Sequence, residues 1–354
     1  MPLIATAAVL YKTNEPLVVQ AIDVPNLLAG QVLVKVLYSG VCGSQLMEVK
    51  GGRGEDKWLP HLLGHEGSGV VLEVGQGVTK VAPGDEVILG WIKGTGITAP
   101  GAKYKSENEN INSGRITTLS NYTIVSESCV YKKPSELAFD AAILFGCALP
   151  TGAGMVLNEL KPKKKQSVVV VGLGGIGLSA LMALKSIGIS NIIAVDIHSD
   201  KLDLAKRLGA HYVFNSNKKY FEEEIRQLTQ GGTDFCIESG GQVETIELGF
   251  SLIHPSHGML LFASHPSNEK RISIAPHELI SGKKIQGSWG GGTLSDDGII
   301  KLHKLFSSTK APLEMLLTKR YKLEQINDAL HDLELGAVFR PIIEMEHHNE
   351  VGTK

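Results

Sequence analysis

Cysteine is scarce. Cys42, Cys129, Cys147 and Cys236 are the four present in 354 residues, too few and too scattered for a disulfide framework in so long a chain. Reduced thiols free to bind a metal fit that usage better. Net charge is also near zero: 35 Lys+Arg against 37 Asp+Glu gives a formal charge of -2, so there is neither a basic field for nucleic acid nor an anionic tail. No apolar run approaches the length of about 18 residues needed to span a bilayer, and the amino terminus lacks a basic-then-apolar signal pattern. No internal repeat or low-complexity tract occurs. These absences lead us to expect a cytoplasmic protein with a small-molecule partner and no binding to nucleic acid or membrane.

Glycine is abundant. Forty glycines supply the tight turns required by many short strands and βα units, and the length suits about two ordinary domains. From Ile4 to about Tyr131, short β-rich runs are broken by Gly, Pro and Asn. Val32 to Leu37, Gly69 to Val74 and Glu86 to Leu89 are predicted strands, with Pro83-Gly84-Asp85 as a turn. Lys103 to Asn121 is polar and rich in Gly, Asn and Ser, the composition of an exposed loop rather than of core.

The rhythm changes near Thr151. A β-branched run from Ser167 to Val171 precedes helical spacing over Leu178 to Ile187, and a second buried-type strand from Asn191 ends in Asp196. Helix and strand alternate on to Met259–Phe262, which predicts a doubly wound parallel sheet binding its ligand at the carboxyl ends of its strands. The stretch from about Ser288 to the closing run Arg340 to Ile343 is too short to stand alone and is expected to return to the amino-terminal part. The expected division is therefore 1–151 with 288–354, enclosing 152–287.

Two features carry chemistry. Gly172, Gly174 and Gly177 form Gly-x-Gly-x-x-Gly between a strand and a helix, where a pyrophosphate can reach backbone N–H groups around Gly175 and Ile176. Asp196 lies 19 residues past Gly177, followed by Ile197, where a carboxylate can accept from the adenosine ribose and repel a 2′-phosphate. NAD(H) is favoured, with His198 and Lys201 close enough to soften the preference. Ser199 and Asp200 are better placed than Asp196 to cap the next helix. The second feature is a donor set: Cys42 in Gly40-Val41-Cys42-Gly43-Ser44, His65 and Glu66 after Gly64, and Cys147 after Phe145-Gly146. Two thiolates, an imidazole and a carboxylate suit a catalytic zinc with one position open. Cys129 and Cys236 lack that context, and Cys236 reads as strand-interior core.

In these stretches the chain resembles a zinc-type alcohol dehydrogenase of the medium-chain dehydrogenase/reductase family. The resemblance rests on GVCGS, LLGHEGSGVVLEVGQGVTKVAPGDEV, FGCALPTGAG, VVVVGLGGIGLSALMALKSIG and IIAVDIHSDKLDLAKRLGA. It implies an α/β fold with a GroES-like β-rich catalytic domain and a Rossmann nucleotide-binding domain. It also implies zinc held by Cys42, His65 and Cys147, with Glu66 behind the metal and able to ligate transiently. Ser44 would bind the alcohol and begin the proton path, Thr151 would sit beside the nicotinamide, Trp91 would line the substrate cleft, and Arg340 would reach the pyrophosphate. Relatives assemble as homodimers or homotetramers, and Lys284 to Ser288 is a candidate edge strand for such pairing.

The chain departs from the family in three places. Ile92 to Ser128 holds none of the four cysteines that bind a structural zinc in many relatives, so one zinc per subunit is expected. Gln45 stands where relatives commonly have Asp; a neutral amide can still accept from the ligand histidine, but leaves the imidazole a weaker base. Met47 stands where some relatives place a proton-relay His. A secondary alcohol, polyol or sugar-derived substrate is favoured over ethanol. Two alternatives stay open: a zinc-free NAD(P)H reductase of activated double bonds on the same fold, and a non-catalytic NAD(H) sensor. Trp58, Trp91, Phe145 and Trp289 either shape a cleft or fill core and interface.

Overall fold

A computed structural model describes residues 3–107, 109–293 and 296–347. The chain divides into two compact units, one of Met1–Cys147, Leu294–Ile300 and Leu313–Lys354, the other of Ala148–Thr293 and Lys301–Pro312. The second unit thus takes 148–151, 288–293 and 301–312, which the sequence division groups with the first.

In the first unit the strand Gln31–Gly40 is central. Val32, Val34 and Val36 enter one apolar cluster and Leu33 the other, so the strand is buried on both faces and reads as a continuous apolar run. It pairs with Glu66–Val74, Tyr122–Ser126 and Pro341–Glu344, within a sheet ordered Val130–Lys132, Glu86–Gly90, Glu66–Val74, Gln31–Gly40, Pro341–Glu344, Lys319–Lys322. The ladder to Glu66–Val74 shifts register between Leu33 and Val34 and again between Val36 and Tyr38. Such irregularities re-aim the end of a strand, and here that end is Gly40, followed by Val41 and Cys42.

The expectation of an exposed loop over Lys103 to Asn121 is overturned. Lys103–Ser106 and Glu109–Asn112 are strands of a closed barrel with Ile4–Leu10, Val18–Asp23 and His61–Leu62. Each places one side chain inward, Tyr104 and Ile111, both fully buried. Tyr104 Oη accepts from Ile124 N–H at 2.7 Å, and burial pushes its pKa up to about 12. Thr117 to Asn121 are buried as well, held by polar bonds such as Thr117 Oγ1 to Thr123 Oγ1. A polar segment can thus lie inside when its groups pair.

The second unit is a parallel sheet ordered Tyr212–Asn215, Asn191–Asp196, Ser167–Val171, Phe235–Glu238, Met259–Phe262, Lys284–Gly287. Numbered along the chain, that order is 3-2-1-4-5-6, reversing between Ser167–Val171 and Phe235–Glu238, where doubly wound sheets bind their ligands. Val168, Val169 and Val170 are wholly buried, each contributing roughly 1.5–3 kcal/mol of apolar burial. Cys236 lies in the same core, as expected. Lys284–Gly287 forms one edge of the sheet. Among the described residues no single helix is long and apolar enough to cross a membrane.

Candidate active site

Three donors converge in the first unit. Cys42 precedes the short helix Gly43–Val49, His65 follows the strand His61–Leu62, and Cys147 ends the 3-10 turn Ile143–Gly146. Gly64, at φ +96°, occupies the left-handed region that admits glycine. It turns the chain so that His65 and Glu66 follow in extended backbone. The donor atoms of Cys42, His65 and Cys147 lie within 4.8 Å of one another, and His65 Nε2 is 3.3 Å from Cys147 Sγ. A hydrogen bond from Cys147 holds the Cys42 thiol well below its ordinary range, while that bond and burial push Cys147 well above it. Two thiols and an imidazole closing on one point form a donor set that fits zinc.

Glu66 lies behind this trio and outside its donor cluster. It is fully buried, and its Oε1 accepts from Arg340 Nη1 at 2.6 Å across 274 residues of sequence. Burial pushes its pKa up despite Arg340. For Arg340 burial acts downward, yet Glu66 and the two cysteines outweigh it and the net shift is upward. Gly40 makes room for the pair: a Cβ there would stand 2.7 Å from the Glu66 carboxyl carbon. Thr118 Oγ1 donates to the Glu66 carbonyl at 3.2 Å and fixes its backbone. Arg340, read from the sequence as a pyrophosphate contact, thus has a carboxylate partner that the sequence did not indicate.

Gln45 ties two ligand residues together. It is 1% exposed; its Oε1 accepts from Cys42 N–H at 2.8 Å, and its Nε2 makes a close contact with His65 Nδ1. The side chain thereby links the Cys42 amide to the His65 ring through its two ends. Four atoms buried without a hydrogen-bond partner belong to residues the sequence singled out: Ser44 Oγ, Glu66 Oε2 and Arg340 Nε in this unit, and Thr151 Oγ1 in the other. Leaving such groups unmade is costly unless a ligand completes them. Trp91 follows the strand Glu86–Gly90, and its N–H donates to the Gly146 carbonyl at 3.4 Å, one residue from Cys147. Phe145 is core, whereas Trp58 and Trp289 are 72% and 73% exposed.

In the second unit the glycine loop lies at the reversal of strand order. Gly172, at φ +86°, packs so that a Cβ would stand 2.6 Å from Gly240 N, and a Cβ on Gly177 would meet Ser239 Oγ at 2.8 Å. Gly174 differs: a Cβ there would meet nothing within 4 Å, so the space beside it is open. The helix Gly175–Ser186 starts immediately after it. Its first N–H groups, among them those of Gly175, Ile176 and Gly177, have no intrahelical acceptor and carry the positive end of the helix dipole. This cradle fits a pyrophosphate.

Asp196 braces the loop from the adjacent strand, its Oδ2 accepting from Leu173 N–H at 2.7 Å and its Oδ1 from His198 N–H at 2.9 Å. The N-cap of the helix Ser199–Leu208 is His198, without a side-chain cap; Ser199 and Asp200 lie inside the first turn, contrary to the capping expected of them. Ile197 is exposed beside Asp196 and Lys201 is half-buried. Glu238 and Ser239 were not foreseen. Glu238 accepts from Gly240 N–H, Gly241 N–H, Thr245 Oγ1 and Ser264 Oγ, and Ser239 Oγ donates to the Gly172 carbonyl at 2.8 Å. The available signal was Glu-Ser-Gly-Gly directly after a predicted strand.

Residues 28–135 match the family described as alcohol dehydrogenase GroES-like domain, and 175–307 the family described as zinc-binding dehydrogenase. The structure is similar to benzyl alcohol dehydrogenase from Acinetobacter calcoaceticus at TM-score 0.87 and 29% identity, covering 97% of this chain and 100% of that one. It is also similar to an alcohol dehydrogenase zinc-binding domain protein from Burkholderia ambifaria at TM-score 0.89 and 28% identity, covering 98% and 100%. At 23% identity, 2R,3R-butanediol dehydrogenase from Bacillus subtilis shares the fold, with TM-score 0.76 over 96% and 99% of the two chains.

Proposed function

Given that the chain belongs to the zinc-type alcohol dehydrogenases of the medium-chain dehydrogenase/reductase family, we propose that it is a zinc-dependent, NAD(H)-linked enzyme. Its reaction moves a hydride between an alcohol and NAD and yields a ketone or aldehyde; a secondary alcohol, polyol or sugar-derived alcohol is the substrate class. The observation carrying this reading is the convergence of Cys42, His65 and Cys147 within 4.8 Å, beside the buried, unpartnered Ser44 Oγ.

Cys42, His65 and Cys147 would hold the zinc, which would supply Lewis acidity toward the oxygen of an alcohol or carbonyl. Ser44 Oγ accepts a hydrogen bond from the substrate hydroxyl and, as it receives that proton, passes its own onward. Met47, on the same helix as Ser44, cannot relay that proton, so it leaves by another route, such as cofactor ribose and water. Arg340 holds the Glu66 carboxylate, and its buried Nε has no hydrogen-bond partner. Asp196 would accept from the adenosine ribose, Gly174 would admit the pyrophosphate to the helix terminus, and Thr151 would serve the nicotinamide. We propose further that the enzyme acts as a homodimer or homotetramer.

The test is an NAD-reduction screen over secondary alcohols, polyols and sugar alcohols, with zinc quantified on the same sample. Benzyl alcohol joins the panel because a relative at 29% identity is named for it. Cys42→Ser is expected to abolish turnover and leave NADH binding largely intact. Activity that survives prolonged chelation would favour the zinc-free reductase instead.

A further inference from the structure

Glu48, Asp56 and His61 form a second group of donors in the first unit, clear of the cysteines and with no part in the reaction proposed above. Their ligand atoms lie within 4.8 Å of one another. His61 Nε2 is 2.8 Å from Asp56 Oδ2 and 4.0 Å from Glu48 Oε1. Each donor is held by an outer contact. His61 Nδ1 donates to the Leu62 carbonyl at 2.9 Å, which commits that nitrogen to its proton and turns Nε2 toward the carboxylates. Asp56 Oδ1 accepts from Trp58 N–H at 2.9 Å, leaving Oδ2 to the cluster. Arg53 Nη1 stands 3.5 Å from Glu48 Oε2, on the side away from His61. Ligands oriented in this way by a carbonyl, an amide and a cation are what metal sites use to fix tautomer and direction. The side chains are 8% exposed for His61, 14% for Asp56 and 24% for Glu48, so an ion there would be sheltered yet reachable.

We infer that Glu48, Asp56 and His61 form a second, structural site for a divalent cation of the zinc, cobalt and nickel class. One imidazole and two carboxylates suit these borderline ions, whereas magnesium and calcium prefer all-oxygen shells. The ion takes the place of the proton that His61 otherwise shares with Asp56. It closes the segment between the helix Gly43–Val49, which carries Glu48, and the strand His61–Leu62. That helix also carries Ser44 and Gln45, so occupancy steadies the carrier of two site residues. A second ion would overturn the expectation of one zinc per subunit drawn from the sequence.

The experiment is equilibrium dialysis of the zinc-loaded full-length protein against buffered free Zn2+, with metal counted per subunit, repeated with Co2+. Two equivalents are expected, and with cobalt only the first should add thiolate charge-transfer absorption. His61→Gln and the isosteric Asp56→Asn should each weaken the second equivalent by at least about tenfold and keep the first; retention of the first shows that the variant is folded. Backbone amides from 48 to 61 should exchange more slowly in the doubly loaded protein. A single equivalent in the parent overturns the inference, as does a second equivalent unchanged in either variant. Loss of the second ion in His257→Ala also overturns it, since His254 and His257 stack 4.0 Å apart on the surface and could bind an ion of their own.

Discussion

Arg340 and Glu66 form a buried ion pair, 3% and 0% exposed at the side chain and 2.6 Å apart. Such a pair adds little net stability, because desolvating two charges offsets their attraction, but removing one partner strands the other and costs about 3–5 kcal/mol. In a unit of roughly 200 residues each kcal/mol moves the melting temperature by about 2–4 °C, so Glu66→Gln and Arg340→Met should each lower it by about 6–20 °C. The double variant Glu66→Gln/Arg340→Met leaves no stranded charge, only an amide whose lost partner costs about 1–3 kcal/mol. It should therefore melt well above the temperature obtained by adding the two single effects. The assay is thermal unfolding of zinc-saturated protein at one scan rate, followed by tryptophan fluorescence, on all four proteins of the cycle. Additive single effects, or single variants within about 1 kcal/mol of the parent, would refute the reasoning.

The remaining predictions concern the metal and cofactor sites. Gln45→Glu keeps an oxygen for Cys42 N–H and sets a carboxylate against His65 Nδ1, so zinc release to a chelator should slow by about tenfold or more; an unchanged release rate would show that Gln45 does not tune the metal. Gly174→Ala should leave stability within about 1 kcal/mol of the parent, because its Cβ meets nothing within 4 Å, yet weaken NADH binding at least about tenfold. Gly177→Ala should instead destabilise the fold by about 1–3 kcal/mol or more, its Cβ falling 2.0 Å from the Gly172 carbonyl oxygen, a backbone atom that cannot swing aside. If Gly174→Ala binds NADH like the parent, the close approach of a pyrophosphate there is wrong. Asp196→Ala should raise the apparent KM for NAD far more than for NADP, and equal effects would defeat the ribose assignment.

Much of this molecule could be read from its residues because the informative signals are local. Ser167–Val171, Gly172, Gly174, Gly177 and Asp196 announce a strand, a turn, a helix and the end of the next strand within about 30 residues, the span of one βαβ unit. Cys42, His65 and Cys147 stood out through their glycine-flanked turns. What escaped was set by distant partners. Lys103–Ser106 and Glu109–Asn112 each offer one inward apolar residue, too little periodicity to separate a barrel strand from a loop. The second role of Arg340 depends on a residue 274 positions away. The bridging of Cys42 and His65 by Gln45 depends on which end of an amide faces the ring, and no spacing rule encodes that.

The strand Pro341–Glu344 pairs with Gln31–Gly40 and delivers the preceding Arg340 to Glu66. On a ribosome adding about 5–20 residues per second, the 274-residue separation means roughly 14–55 s between the synthesis of Glu66 and that of its counter-charge. Cys147, the last of the Cys42–His65–Cys147 trio, is made partway through that interval, but the strand Gln31–Gly40 still lacks the neighbour it will gain from the carboxyl-terminal part of the chain. The parallel sheet, from Ser167 to Gly287, is synthesised in full within the same interval. Order of completion therefore runs opposite to chain order: the parallel-sheet unit can mature first, and the amino-terminal unit closes over its carboxylate only when the strand Pro341–Glu344 arrives. A nascent chain stalled before Arg340 would hold a complete parallel sheet and a Cys42–His65–Cys147 cluster whose neighbour Glu66 still lacks its counter-charge.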